Sequence, residues 1–389
     1  MSFESASQTP SSVFRTAMGI LVMFGLLSRV LDFDDVVVFC LSGAAIIPLA
    51  GVIAASTEEI SDHSGQVIGG LLNATFGNAP EMIIALFALN SGLVDLVKAS
   101  IIGSIIANLL LALGLAMVTG GIKYQEQSFS PKIARINTAS LNLALVVMLA
   151  PAAIRLTSSH LEDASIKSFS LIAAGLLLTY YLLTLLFSLK THRGLYEMSG
   201  EDAHILAPSA GSKPGTQKNL ARSILTLFIA SLLLCWVSEN LVDSLKVMIH
   251  DHGFSESFTG VFLIPLFGGA VEYLVAMKFA QSNKMDLSIA IATGSSLQIS
   301  MFVAPALVLI GTLWHQPMDF DFHPFELLAA TVAVALTNSI SNDDTTNWLE
   351  GVLLIMVYAV IGIALFYHPW CGEPRLMMKE RPEGFIGTP

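Results

Sequence analysis

Long apolar runs separated by short polar segments form the dominant pattern of this chain. Each run is close to the roughly 20 residues that a helix needs to cross the hydrocarbon core of a bilayer. Gly, Pro and charged residues mark where the runs end. The pattern predicts an all-α polytopic membrane protein with about 11 transmembrane helices. The runs cover residues 14–31, 35–56, 65–90, 97–119, 134–154, 167–189, 221–240, 254–280, 285–312, 324–340 and 347–367.

The longest polar stretch lies between the sixth and seventh runs and contains Pro208 and Pro214. Its composition is typical of a flexible linker. With the N-terminus inside, the loops that hold more than half of the Lys and Arg face the cytoplasm, as the positive-inside rule favours. The expected organisation is an N-terminal segment with the first helix (1–34), a first repeat (35–189), a cytoplasmic linker (190–220), a second repeat (221–367) and a C-terminal tail (368–389).

Two segments of the chain match each other without a gap at an offset of 191 residues. Chance similarity of apolar sequence would not select Glu, Asp and Ser, so the match indicates a duplication. If each half has five helices after the first one, the odd number inverts the second copy, and inverted repeats place the substrate site near the midplane at their interface. The identical positions are Leu72, Phe76, Gly77, Ala79, Glu81, Ala85, Asp95, Leu96, Ala99, Gly103 and Ser104, paired with residues 263, 267, 268, 270, 272, 276, 286, 287, 290, 294 and 295.

Composition excludes several classes of function. Hydrophobic residues make up 54% of the 389 residues and charged residues 13%, whereas a soluble domain has about 25% charged residues. The net charge of −11 argues against nucleic-acid binding, which needs a basic face. Three scattered cysteines form neither a disulfide framework nor a C-x-x-C site. No nucleophile with a matching base and no phosphate-binding loop is found, so we expect neither an enzyme nor a resident cofactor.

Within the matched segments, each repeat has one glutamate surrounded by apolar sequence: Glu81 in the first and Glu272 in the second. A charge at the centre of a membrane helix costs roughly 2.5–3.5 kcal/mol and persists where a cavity, a partner or an ion compensates. The third run contains no Lys or Arg to pair with Glu81. Helix-breaking residues accompany both glutamates and predict discontinuous helices with free carbonyl groups, although a plain kink is the alternative interpretation. These residues are Gly77, Pro80, Pro265, Gly268 and Gly269.

The runs that follow the glutamates carry hydroxyl and amide side chains: Ser104, Asn108, Ser295, Ser296 and Gln298. Hydrogen bonding between helices is the alternative role for them. Together with the carboxylates they form an oxygen-only set that suits Ca²⁺ better than Mg²⁺ or Zn²⁺.

Two nearby carboxylates in a low dielectric repel each other, so the pair holds either one divalent cation or protons. The sequence therefore predicts a secondary Ca²⁺/H⁺ antiporter that works by alternating access. An exchanger of Na⁺ or Mn²⁺, or a Na⁺-coupled Ca²⁺ exchanger, stays open as the alternative. A channel is disfavoured, because it would need a ring of subunits.

The chain resembles the calcium/cation antiporter superfamily, in particular its cation/proton exchanger branch. The resemblance covers about residues 35–367, and its motifs are GLLNATFGNAPEMIIALFAL, GSIIANLLLALG, GSSLQISMFVAPALVLIG and NWLEGVLLIMVY. It implies an 11-helix fold in which calcium moves one way and protons the other. The lipid bilayer, Ca²⁺ and H⁺ are then the partners, and a prokaryotic plasma membrane is the expected location.

The same resemblance implies a transport site with Glu81 and Glu272 as the metal-binding carboxylates. The other implied site residues are Asn73, Asn78, Ser104, Ser295 and Gln298. It also implies that Glu59 and Glu239 lie at the ends of helices near the access paths. The second motif departs from the GNAAEH that the family usually has: this chain reads GGAVEY, with Gly269 in place of the asparagine and Tyr273 in place of the histidine. One amide oxygen is therefore missing from the expected ligand set.

Overall fold

Helices form most of the chain that the computed structural model describes, which comprises residues 12–64, 66–129, 131–158, 163–192, 217–252 and 255–367. The first half contains α1 (Ser12–Leu27), α2 (Asp35–Ser64), α3 (Gln66–Phe76), α4 (Ala79–Asn90), α5 (Val94–Gly121), α6 (Pro131–Thr157) and α7 (Asp163–Leu186). The second half contains α8 (Gln217–His252), α9 (Glu256–Gly268), α10 (Ala270–Gln281), α11 (Met285–Leu313), α12 (Pro324–Ile340) and α13 (Trp348–Tyr367). Two short strands, β1 (Gln127–Ser128) and β2 (Thr345–Thr346), pair antiparallel.

Seven of these helices are long and apolar enough to cross a membrane, and the number is eight if the bent pair α9 and α10 is counted as one span. Helices α1, α4 and α12 are apolar but shorter. The prediction of an all-α polytopic membrane protein is confirmed. The count of 11 spans stays a prediction, because length and composition alone establish seven to eight in the described residues.

The duplication in the sequence is also a duplication of structure. The offset of 191 residues carries both ends of α4 (Ala79–Asn90) onto those of α10 (Ala270–Gln281), and the start of α5 at Val94 onto the start of α11 at Met285. Each of these long helices contains a π-helical segment at the matching place, Ala107–Ala112 in α5 and Ile299–Val303 in α11. The predicted plan of one leading helix and two repeats, each with a glutamate in a broken helix, is therefore confirmed.

The core of the bundle forms around α5, whose most apolar window is 83% buried. Helix α11 is its counterpart and is 61% buried. By contrast, the most apolar windows of α6, α7 and α8 are only 28%, 28% and 22% buried, and large apolar side chains such as Ile172 of α7 and Phe228 of α8 are exposed. Helices that are apolar all round belong in the interior, whereas an exposed apolar face fits contact with lipid. The two central helices are thus those that follow the glutamates.

Different contacts hold the two ends of the bundle. At the end where α7 stops and α8 starts, here called the linker end, β1 pairs with β2 and the Gln127 side chain donates to the Ala280 carbonyl (2.8 Å). At the opposite end, Lys98 pairs with Asp319 (2.5 Å) and Arg155 with Asp321 (2.6 Å). These contacts all join the first half to the second. The two halves are therefore joined to each other at both ends of the bundle.

Candidate functional site

The first broken helix positions Glu81. Helix α3 ends at Phe76 and α4 begins at Ala79, so that Gly77 and Asn78 form the break. Pro80 lies in the first turn of α4, where a helix has no use for an amide hydrogen, and it helps to start α4 there. Glu81 also lies in this first turn. Its carboxylate is therefore close to the positive end of the α4 dipole.

The second broken helix positions Glu272 in the same way. Helices α9 and α10 meet at Gly269 with a bend of 58°, and Glu272 lies in the first turn of α10. The prediction that Pro265 breaks the helix is wrong, because Pro265 lies within α9. A π-helical segment, Thr259–Leu263, comes just before it. Such a wide turn accommodates a proline that cannot donate to the preceding turn, and the helix continues.

A chain of hydrogen bonds joins the first break to α11 of the other half. The Asn78 amide nitrogen donates to Oε1 of Gln298, and Ser295 Oγ donates to Asn78 Oδ1 (2.9 Å). Asn108, in the π-helical segment of α5, donates in turn to Ser295 Oγ (3.1 Å). Asn78 and Asn108 are each 1% exposed. The structure thus brings the amides and hydroxyls of both halves into one buried network.

The two carboxylates lie beside this network. Glu81 is 8% exposed, and a Cβ atom at Gly268 would be 3.4 Å from its Oε1, so that the first carboxylate faces the second break. Glu81 is also close enough to Glu272 for their charges to interact. Among the described residues, neither oxygen of Glu81 and not Oε2 of Glu272 has a hydrogen-bond partner. Burial of such acceptors costs several kcal/mol unless a cation or a proton compensates.

The donor set suits a hard cation. In the described part of the chain there is no group of three or more His, Cys, Asp or Glu that could hold a metal. A cation here would therefore bind two carboxylates and neutral oxygens, which is the chemistry that Ca²⁺ accepts with flexible geometry. The same carboxylates can take up protons instead. The site can thus exist in a metal-loaded and a protonated form.

The remaining predicted residues lie at different distances from this site. Ser104 is buried on α5 (5% exposed) at the position that corresponds to Ser295. The side chain of Asn73 is exposed on α3, and the structure does not bring it into the buried network. Glu59 is exposed near the end of α2. Glu239 is exposed as well, but its predicted place at a helix end is wrong: α8 continues to His252 because buried residues recur at helical spacing beyond it.

Glycines reveal a close crossing that sequence reasoning missed. A Cβ atom at Gly103 of α5 would lie 2.4 Å from Cα of Val261, and one at Gly260 would lie 2.4 Å from Cβ of Ala99. These helices, α5 and α9, therefore touch backbone to backbone. The corresponding position in α11 is Gly294, where no atom of the described residues would lie within 4 Å of an added Cβ atom. The available signal was the identity of Gly103 and Gly294 in the repeat.

The two sides of the site therefore differ in how tightly they are packed. The α5–α9 side, towards the opposite end of the bundle, is closed by the glycine crossing. The α3–α11 side, towards the linker end, has open space among the described residues at Gly294. A duplicated site that is closed on one side and open on the other is the arrangement that alternating access requires. Fold and site together define a secondary transporter for cations.

Comparison with known proteins agrees with this class. The family model described as "Sodium/calcium exchanger protein" matches residues 35–190 and 222–367. The chain is 46% identical over 355 residues to the Ca(2+)/H(+) antiporter of Aphanothece halophytica, which covers 90% of this chain and 95% of that protein. It is 37% identical over 347 residues to the Ca(2+)/H(+) antiporter ChaA of Bacillus subtilis, which covers 89% of this chain and 96% of that protein. The chain belongs to the sodium/calcium exchanger protein family.

Solved structures support the same fold. The structure of native YfkE superposes with a TM-score of 0.76 at 34% identity and covers 91% of this chain and 99% of that one. The crystal structure of the H+/Ca2+ exchanger CAX superposes with a TM-score of 0.68 at 16% identity and covers 91% of each chain. The second likeness concerns the fold alone.

Proposed function

We propose that this protein is a secondary active antiporter that exchanges Ca²⁺ for protons across a membrane by alternating access. The observation that supports it most directly is the pair of carboxylates at the two breaks: in the described chain, neither oxygen of the buried Glu81 and not Oε2 of Glu272 has a hydrogen-bond partner. Relatives that match nearly the whole chain bear the name Ca(2+)/H(+) antiporter. The protein is thus a transporter, with Ca²⁺ and H⁺ as its substrates.

The exchange follows from mutual exclusion at the two carboxylates. When Ca²⁺ is bound, its charge neutralises both groups, and protons are displaced. When Ca²⁺ leaves, the empty pair is two negative charges in a low dielectric, which is costly to carry across the membrane until protons bind. Only the loaded or the protonated site then changes sides. Because both substrates compete for the same oxygens, we expect the KM for Ca²⁺ to rise as the pH falls.

The neutral ligands act as a fixed frame for the carboxylates. We assign Asn78, Ser104, Ser295 and Gln298 to this frame: Asn78, Ser295 and Gln298 share one hydrogen-bond network, and Ser104 is the buried counterpart of Ser295 in the repeat. A frame that is already ordered lowers the cost of binding a partly dehydrated cation. Glu59 and Glu239, exposed on α2 and α8, are proposed as acidic residues of the access paths.

The protein is an integral multi-pass membrane protein. We propose that the N-terminus is cytoplasmic and that residues 190–220 form a cytoplasmic linker between repeats 35–189 and 221–367. In that orientation the linker end of the bundle faces the cytoplasm, and the open α3–α11 side admits ions from there. A bacterial relative of nearly full length supports a prokaryotic plasma membrane as the location.

Transport in everted membrane vesicles tests this proposal. With an acid interior, wild-type vesicles should accumulate Ca²⁺, and a protonophore should abolish the uptake. The variants Glu81→Gln and Glu272→Gln keep the shape of each side chain but remove its charge, so uptake should fall to the background of vesicles without the protein. Glu126→Gln, outside the breaks, is the matched control. Uptake of Na⁺ or Mn²⁺ in place of Ca²⁺, or uptake that persists in both variants, would contradict the proposal.

A further inference from the structure

The two breaks are equivalent in the repeat but are held by different side chains. Asn78 of the first break corresponds to Gly269 of the second at the 191-residue offset. Asn78 bonds to Ser295 and Gln298 of the other half. Gly269 has no side chain with which to make such a bond. The second break therefore needs another means of holding the bend on which Glu272 stands.

Tyr273, the residue directly after Glu272, occupies the space beside this glycine. Its hydroxyl oxygen lies 2.6 Å, and its Cζ 2.8 Å, from the place where a Cβ atom of residue 269 would be. The tyrosine is 6% exposed, so that its ring is packed on all sides. A ring in such a position cannot move aside cheaply. Gly269 and Tyr273 are therefore complementary: the ring fits because residue 269 is glycine.

The hydroxyl of Tyr273 makes one specific bond. It donates to the carbonyl oxygen of Pro265 (2.7 Å), the same oxygen that accepts the backbone N–H of Gly269 (3.0 Å). Pro265 belongs to α9 and Tyr273 to α10, so this bond spans the 58° bend. The first break is therefore held by hydrogen bonds to the other half, whereas the second is held by a hydrogen bond within its own half.

We infer that Tyr273 is the positioning residue of the second break. By donating a hydrogen bond to the Pro265 carbonyl, it fixes the bend and holds Glu272 opposite Glu81, although position 269 has no side-chain amide. The inference rests on the proposed exchange of Ca²⁺. The tyrosine also occupies one of the two lone-pair directions of the Pro265 carbonyl, and the backbone amide occupies the other. That carbonyl is thereby withheld from the cation.

Tyr273→Phe tests the bond, because it removes the hydroxyl and keeps the ring. We expect the KM for Ca²⁺ to rise about 3- to 10-fold, as the loss of one hydrogen bond predicts, while the maximal rate changes less than twofold. Radioactive Ca²⁺ binding to the purified protein should weaken by the same factor. Tyr181→Phe is the matched control: Tyr181 is also 6% exposed, and its hydroxyl has no partner among the described residues. An unchanged or lower KM in Tyr273→Phe would overturn the inference.

A second pair of variants tests the complementary shape. Gly269→Asn alone should reduce Ca²⁺ uptake at least tenfold, since its Cβ atom meets the ring of Tyr273. Gly269→Asn combined with Tyr273→His exchanges the ring for a smaller one and should restore at least half of the uptake. Full activity of Gly269→Asn, or a double variant no better than the single one, would count against the inference. Wild-type protein that neither binds nor transports Ca²⁺ would instead refute the proposed function.

Discussion

Helices α3 and α9 occupy equivalent places in the two repeats but have opposite environments. Ile68 and Leu71 of α3 are 57% and 52% exposed, whereas their counterparts in α9 are the fully buried Thr259 and the partly buried Phe262. Equivalent positions of the repeat are thus packed in one helix and exposed in the other. The two halves therefore differ in packing at equivalent positions, and an exchanger must reverse such a difference during its cycle.

The largest effect is expected from adding a methyl group at Gly103, where α5 crosses α9, or at its counterpart Gly294 in α11. In Gly103→Ala the new methyl group would lie 2.4 Å from the backbone of Val261. Overpacking of this kind costs about 1–3 kcal/mol, and we expect the melting temperature in detergent to fall and transport to drop by about tenfold or more. At Gly294 no atom of the described residues would meet an added methyl group. In Gly294→Ala the melting temperature should therefore stay the same while transport slows, because that side must close in turn. Equal loss of melting temperature in both variants would refute the comparison.

Chemical labelling should show which of the two helices faces water. In a chain whose three cysteines, Cys40, Cys235 and Cys371, are replaced by serine, we would introduce Leu71→Cys or Phe262→Cys. A membrane-impermeant maleimide should modify Leu71→Cys at least about ten times faster, because α3 borders the open side. Slow labelling of both would mean that α3 contacts lipid there and not an aqueous cleft.

Removing the hydrogen bonds that join the first break to α11 should have an intermediate effect. Asn78→Ala removes two hydrogen bonds to α11, and Asn108→Ala removes one bond to Ser295. At about 0.5–1.5 kcal/mol for each bond, the KM for Ca²⁺ should rise roughly tenfold or more in the first variant and less in the second. Asn142→Ala loses only an exposed bond to Asn338 and serves as the control. The reverse order of Asn78 and Asn108 would show that the network is not centred on the break.

The smallest effect is expected from the ion pairs at the end of the bundle opposite to the linker end. The side chains of Lys98 and Asp319 are 12% and 16% exposed, whereas those of Lys246 and Asp243 are 36% and 39% exposed. Lys98→Met should lower stability by on the order of 1–2 kcal/mol, between the ranges for surface and buried pairs. Lys246→Met should change the melting temperature very little. If Lys98→Met also makes Phe262→Cys easier to label, the pair helps to keep the α5–α9 side closed.

Much of the architecture could be predicted from residue types alone. The apolar runs located the helices, because a bilayer accepts little else over that length. The offset of 191 residues identified the two broken helices, since the glutamate and glycine identities coincide there. The errors have local causes. The missing amide hydrogen of Pro265 predicts a break in α9, but a π-helical segment accommodates the proline. The apolar run predicts a helix end near Glu239, but α8 continues beyond that run.

The sequence by itself determined that this is a duplicated membrane protein with one glutamate beside a helix break in each half, because hydrophobic length and internal identity are properties of the chain. It also showed that position 269, a glycine, lacks a side-chain amide. Only the tertiary structure decided that Asn78 bonds across the interface, that Tyr273 closes over Gly269, and that α9 is packed while α3 is open. Such contacts join residues far apart in the chain, and their distances depend on the docking of whole helices.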